Sequence, residues 1–253
     1  PDALGRAIAE SNPAIGDFLP LEAVRQRARE IPEFEFRRYH LNQWVDSPER
    51  WLPHGAWEAR KAEGPPPADD TEIAIGFDGS YSGDSTALVG ATIADKPHLF
   101  VLGAWEKGRQ ADWRVPIADV EETIRQACRR YRVAEIGMDP HRWGRTLQQL
   151  QDEGFPAKEW NTAVAGRMVP ACAQFYDAVT GDRLTHDGDE RLATHIANAV
   201  IHIDSRGPRI AKDHKDSERH IDLAVSAVIA HDTAVRSLAT GRSVYEEREM
   251  IVL

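Results

Sequence analysis

Two cysteines in 253 residues, Cys128 and Cys172, are too few and too far apart for a disulfide framework or a thiolate zinc site. A reducing compartment is expected. No apolar run approaches the ~18 residues of a membrane span, so no membrane is expected among the partners. The opening residues, Pro1-Asp2-Ala3-Leu4-Gly5-Arg6, lack a basic stretch followed by an apolar one, which gives secretion no support, and a start without Met reads as a fragment. Basic charge is scarce too. With 31 Lys and Arg against 41 Asp and Glu, the net charge of -10 excludes a protein that coats nucleic acid by bulk charge. A local basic face remains compatible with it, as does a cation site, which must itself concentrate carboxylates. The chain also lacks internal repeats and any G-x-x-x-x-G-K-S/T phosphate loop.

What is present suits one large core with an appendage. Hydrophobic residues at 42% and charged residues at 28% are ordinary for a globular protein. The Pro-rich acidic stretch Glu63-Gly64-Pro65-Pro66-Pro67-Ala68-Asp69-Asp70 sets an expected boundary between residues 1–65 and 66–253. Ahead of it, Leu21 to Arg29 has the spacing of a short amphipathic helix ending before Pro32. Phe34, Phe36, Tyr39, Leu41 and Trp44 supply anchors without a complete core, so this segment is expected to pack on something else. After the boundary, Ile73 to Phe77, Ser85 to Ile93 and Leu99 to Trp105 read as three strands joined by tight turns. Ile117, Val120, Ile124, Ala127, Cys128 and Tyr131 recur at helical spacing, and Ala134 to Met138 follows as a fourth strand. Helices are expected over Gly144 to Glu153, Met168 to Val179, Glu190 to Val200 and Glu218 to Val235, with a short strand at Ala157 to Trp160. The pattern predicts an α/β fold with a mixed sheet flanked by helices.

Two carboxylates close two of these strands. Asp78 ends Ile73-Ala74-Ile75-Gly76-Phe77, and Asp139 ends Glu135-Ile136-Gly137-Met138, with Pro140 stopping the ladder directly after it. Asp222 lies in Ile221-Asp222-Leu223-Ala224-Val225-Ser226-Ala227, part of a helix apolar nearly all round, whose first turn must carry the acid inward. Each has a plainer role available: a turn-forming Asp before Gly for Asp78, a helix cap for Asp139. Three acids brought together would repel unless cations compensate them, and oxygen donors without paired thiols select Mg²⁺ or Mn²⁺. With two such ions, one serves the attacking water and the other the leaving 3′ oxygen of an in-line displacement at a phosphodiester.

The string Gly76-Phe77-Asp78-Gly79-Ser80-Tyr81-Ser82-Gly83-Asp84-Ser85-Thr86-Ala87-Leu88-Val89 resembles the first nuclease motif of tailed-phage terminase large subunits. Ile136-Gly137-Met138-Asp139-Pro140 resembles their second acidic motif, and His220-Ile221-Asp222-Leu223-Ala224-Val225-Ser226-Ala227 their third. Phe36-Arg37-Arg38-Tyr39-His40-Leu41-Asn42-Gln43-Trp44 and Ser243-Val244-Tyr245-Glu246 are similar to terminase sequence as well. The resemblance spans nearly the whole chain. It implies an RNase H-like fold with a five-stranded mixed sheet, three strands antiparallel and the rest parallel, flanked by helices and followed by a β-hairpin and a helix. It also implies a metal-dependent endonuclease that cuts concatemeric double-stranded DNA during genome packaging. In that family the nuclease follows a packaging ATPase, so residues 1–65 would be the end of the ATPase region or the linker. The implied partners are the ATPase domain, a small terminase subunit and the portal protein, in the host cytoplasm at the procapsid portal.

Lesser candidates surround the three acids. Asp84 matches an acidic position of the first motif, although a Ser-Gly-Asp-Ser turn explains it equally. Asp213 and Asp216 precede the last helix as further metal ligands, with Asp216 or Ser217 as its cap. Lys215 or His214 is placed to bind the scissile phosphate. Arg142 and Arg145 follow the second acid directly, and Arg206, Arg209 and Lys212 fall about Ser205-Arg206-Gly207-Pro208, which reads as a hairpin; all are candidate DNA contacts, against the plainer reading of solvated charge. Two rival functions stand beside the nuclease. A sugar-kinase or actin-like nucleotide-binding domain shares a first strand with Asp-Gly-Ser but needs a duplicated domain, and only one half is visible. A non-catalytic docking module would use the acids only to tie loops.

Overall fold

Odd and even residues of the first long strand face different partners, and that alternation organises the molecule. The computed structural model describes residues 2–30, 33–43, 50–80, 85–107, 113–214, 217 and 219–246. Two compact units emerge, Pro1–Glu49 and Arg50–Leu253.

The first unit holds α1 (Ala3–Ser11), α2 (Leu21–Glu30) and α3 (Glu33–His40). Asp2 caps α1 by accepting the Gly5 N–H at 2.7 Å, and its carboxylate pairs with Arg25 of α2 at 2.8 Å. Ile8, Val24, Phe36 and Leu41 bury one another, so the segment has a small core of its own where the sequence promised only scattered anchors. Tyr39 is exposed. Trp44 and the side chain of Phe34 lie outside the described residues.

The second unit is built on β1 (Glu72–Gly79), β2 (Thr86–Thr92), β3 (His98–Trp105), β4 (Arg132–Met138), β5 (Ala157–Glu159) and β6 (Thr185–His186). They form one sheet in the order β5-β4-β1-β2-β3-β6. Hairpins make β1, β2 and β3 antiparallel, whereas β4 and β5 join parallel on one side and β6 on the other. This is the predicted mixed α/β sheet with one strand more: two residues are too short for a sequence pattern to mark. Ile73, Ile75 and Phe77 of β1 bury on one face with Ile136 and Met138, against Val120 and Ile124 of α4 (Ile117–Arg130) and Leu147 and Leu150 of α5 (Gly144–Asp152). Each such side chain contributes roughly 1.5–3 kcal/mol by leaving water. The opposite face is lined by Ala74, Ala87, Val89 and Ala91 and covered by α6 (Ala165–Thr180) and α8 (Asp222–Glu246). Small residues let α8 lie close: a Cβ on Gly76 would stand 2.1 Å from the Ser226 carbonyl oxygen. The remaining elements are α7 (Glu190–Asn198) and the hairpin β7 (Val200–Asp204) and β8 (Gly207–Ala211).

Two expectations shift. The last helix starts at Asp222 rather than near 218 and runs on to Glu246. The second unit begins at Arg50, ahead of the boundary expected near 65. The reason is aromatic packing: Trp51 and Trp57 stack on Phe175 at 5.0 and 6.1 Å, and Trp57 stacks on His186 at 4.0 Å. Trp51 also donates its N–H to the Ala199 carbonyl at 2.9 Å. The Pro-rich stretch is therefore a strap inside this unit, not its edge.

Candidate active site

Parallel pairing of β1 with β4 sets Phe77 opposite Met138, so the residues that follow, Asp78 and Asp139, close neighbouring strands side by side. The Asp139 N–H donates to the Phe77 carbonyl at 3.2 Å across that gap. Asp78 is two residues on from Gly76, and Asp139 two on from Gly137; both glycines lie under α8, whose Ser226 and Ile229 would meet a Cβ there. Alternation thus directs the acids toward the face that α8 covers. Because α8 runs antiparallel to β1, with Ser226 above Gly76, Asp222 one turn earlier lies above the strand end. Ser85, just before β2, donates its hydroxyl to the Asp222 carboxylate, and Ser226 donates its own to the Ala87 carbonyl at 3.1 Å. The three predicted acids therefore share one face and one end of the sheet. Asp139 and Asp222 are 5% and 7% exposed, and Asp78 is half-buried.

The Asp222 and Asp139 carboxylates are nonetheless turned to hydroxyls and amides. Asp139 accepts the His141 N–H at 2.8 Å on Oδ1, and the Thr162 N–H at 3.2 Å together with the Thr162 hydroxyl on Oδ2. Among the described residues, no group of three or more His, Cys, Asp or Glu side chains is drawn close enough to hold a metal ion. The donor chemistry and backbone placement suit a hard divalent cation, while the side chains are not gathered into a ligand sphere. Asp84, a candidate contributor, lies outside the described residues, as do Asp216 and Lys215. Asp213 is occupied elsewhere: hydrogen bonding from Ser217, then from the His214 N–H, holds its carboxyl below the usual range, and Arg219 stands 3.5 Å away. His214 is exposed.

A cavity of about 440 Å³ opens beside Asp139, between His141 and Arg142 on one side and the 161–163 turn on the other. Arg142 takes a left-handed backbone, φ 63°, uncommon for a residue with a side chain. Both Arg142 and Arg145 are exposed, and no ion pair joins either to an acid among the described residues. The hairpin arginines differ. Arg206 and Arg209 both reach Asp204, at 2.7 and 2.9 Å, and drive its carboxyl far below the usual range. Lys212 is half-buried.

Sequence reasoning missed Ser85, Thr162 and His195. Buried His195 of α7 accepts the Leu223 N–H at 3.0 Å on Nδ1 and sets Nε2 3.3 Å from Glu106, which fixes the proton on Nε2 and satisfies an amide at the start of α8. Only polarity marks these residues in the sequence. Their roles arise from contacts 23 to 137 residues apart.

No protein-family profile matches the chain. It is 32% identical over 238 residues to the Gene 13 protein of Mycobacterium phage L5, across 84% of this chain and 40% of that protein. The chain thus spans about two fifths of the length of that relative. Among solved structures, the large terminase of bacteriophage HK97 superposes with a TM-score of 0.62 at 21% identity, over 92% of this chain and 55% of that one. The large terminase nuclease of thermophilic phage G20c superposes with a TM-score of 0.50 at 12% identity, over 65% of this chain and 84% of that one. The chain has the fold shared by these phage large terminase structures, an RNase H-like mixed sheet flanked by helices with a separate antiparallel hairpin.

Proposed function

We propose that this chain is the nuclease portion of a tailed-phage large terminase and hydrolyses phosphodiester bonds of double-stranded DNA with the help of divalent cations. The observation that carries the reading is the convergence of Asp78, Asp139 and Asp222, from three separate stretches of sequence, on one face at one end of the sheet. Three carboxylates at one end of the sheet, two of them buried, would repel one another if gathered into one sphere, and a cation would relieve that repulsion. Asp78, Asp139 and Asp222 would hold Mg²⁺ or Mn²⁺, two ions in this reading, which when bound supply an activated water and a charge partner for the leaving oxygen. The chain's own task is to present the acids on a rigid strand end and helix start. Arg142, exposed in the cavity beside Asp139, and Arg145, exposed in the first turn of α5, are suited to the DNA backbone, and phosphate contacts of this kind position a duplex without reading its sequence. Concatemeric genomic DNA is the proposed substrate. A packaging ATPase domain, a small terminase subunit and the portal protein are the proposed partners, in the host cytoplasm. The end of an ATPase region or a linker is proposed for the segment ahead of Arg50.

The test is conversion of supercoiled plasmid by the chain with Mn²⁺ or Mg²⁺. Wild type is expected to cut, and Asp78→Asn, Asp139→Asn and Asp222→Asn to lose at least about a hundredfold in rate, as when a group central to transition-state charge is removed. Equal cutting by all three variants would remove the site. ATP binding without cutting would favour the kinase-like reading, and neither activity would favour a docking module.

A further inference from the structure

We propose that Thr162 is the positioning residue of the site, holding the Asp139 carboxylate in the one orientation that leaves an oxygen lone pair open to a divalent cation; this rests on the nuclease reading above. The carboxylate offers about four acceptor directions. Thr162 fills two on Oδ2, through its N–H and its hydroxyl, and the His141 N–H fills one on Oδ1. One direction on Oδ1 remains. The turn that carries Thr162 is rigid from both ends. Trp160 is fully buried, donates its N–H to the Met138 carbonyl at 2.7 Å and its indole N–H to Asp232 at 2.8 Å. Asn161 closes the turn by accepting the Ala163 N–H at 2.9 Å. The turn of Thr162 is thereby tied to the last residue of β4, the strand that Asp139 follows, so the donor and the acid share one anchor. Both line the same cavity.

A hydroxyl beside a ligand carboxylate fixes its rotamer and withdraws charge from one oxygen, so the cost of ordering the ligand is met before the ion arrives. Loss of such a partner lowers metal affinity by about 10- to 100-fold. A threonine that merely closes a turn would leave affinity untouched while lowering the melting temperature.

Calorimetric titration of the 253-residue chain with Mn²⁺ separates the two roles, with metal-free circular dichroism confirming that each variant is folded. Thr162→Val, which keeps the shape and the N–H but not the hydroxyl, is expected to bind Mn²⁺ about tenfold more weakly. Thr162→Ser, which restores the hydroxyl, is expected within about twofold of wild type, because the donor rather than the methyl sets the orientation. Wild-type or tighter binding by Thr162→Val overturns the proposal, and so does equal weakening by Thr162→Ser. Asp139→Asn isolates the reading beneath it: if wild type and Asp139→Asn take up Mn²⁺ alike, the metal site itself fails and the inference with it, whereas loss in Asp139→Asn with no effect of Thr162→Val rejects the inference alone.

Discussion

His231 sits on α8 with 2% of its surface exposed, edge-on to Phe175 at 5.5 Å, and its Nδ1 has no hydrogen-bond partner among the described residues. Burial pushes its imidazolium down to about 4 from an ordinary 6.5; Asp232 opposes this and Arg183 adds to it. Between those values the unfolded chain binds a proton that the folded one refuses. Stability is therefore complete above about pH 6.5 and drains away as pH falls toward 4. His231→Leu removes the difference. From pH 7 to pH 5, urea denaturation is expected to cost wild type about 2 kcal/mol more than the variant. Parallel profiles for the two proteins would show that the imidazole is not the acid-sensitive group. The same scale explains what the sequence disclosed of the site. Asp78 and Asp139 were legible because an acid closing an apolar strand is conspicuous, and Asp222 because its surroundings are apolar. Thr162, Ser85 and His195 were not, because an isolated Thr, Ser or His carries no mark of the partner that folding brings to it.

Helix α8 and strand β1 meet with almost no side chain between them at Gly76. An added methyl would stand 2.1 Å from the Ser226 carbonyl and 2.5 Å from the Ala230 nitrogen, both backbone atoms with no rotamer to yield. Gly76→Ala must therefore lift α8 from the sheet. A loss of about 3 kcal/mol is expected, at the upper end for overpacking, with weaker DNA cutting as Asp222 is displaced from the strand ends. Guanidinium titration and the plasmid assay check both, and a change under about 0.5 kcal/mol would mean that the helix adapts freely. At this scale the long elements were readable: three strands, α4 and β4 appeared close to their expected bounds because their periodicities are strong. The start of α8 was not, since His195, which satisfies the Leu223 amide there, comes from a different helix. Strand β6 needed the edge of β3 beside it to become a strand at all.

For the molecule as a whole, the Pro-rich stretch looked like a joint because composition changes there, yet Trp51, Leu52 and Trp57 ahead of it belong to the core around Phe175. A chain starting at Arg50 is expected to melt within about 2 °C of the second unit in the full chain, whereas a chain starting at Ala68 forfeits both tryptophans. At about 3–5 kcal/mol for a lost large core side chain and 2–4 °C per kcal/mol at this size, the second truncation should lower Tm by roughly 10 °C or more. Equal melting of the two chains would return residues 50–67 to a linker role.

The hairpin arginines bear on how a duplex would be felt in solution. Arg206 and Arg209 already share Asp204, so two guanidinium groups less one carboxylate leave a single positive charge at that tip. A phosphate arriving there trades places with an internal anion, and fewer condensed ions leave the nucleic acid than two unencumbered arginines would release. Association through this tip should accordingly weaken only gently as ionic strength rises.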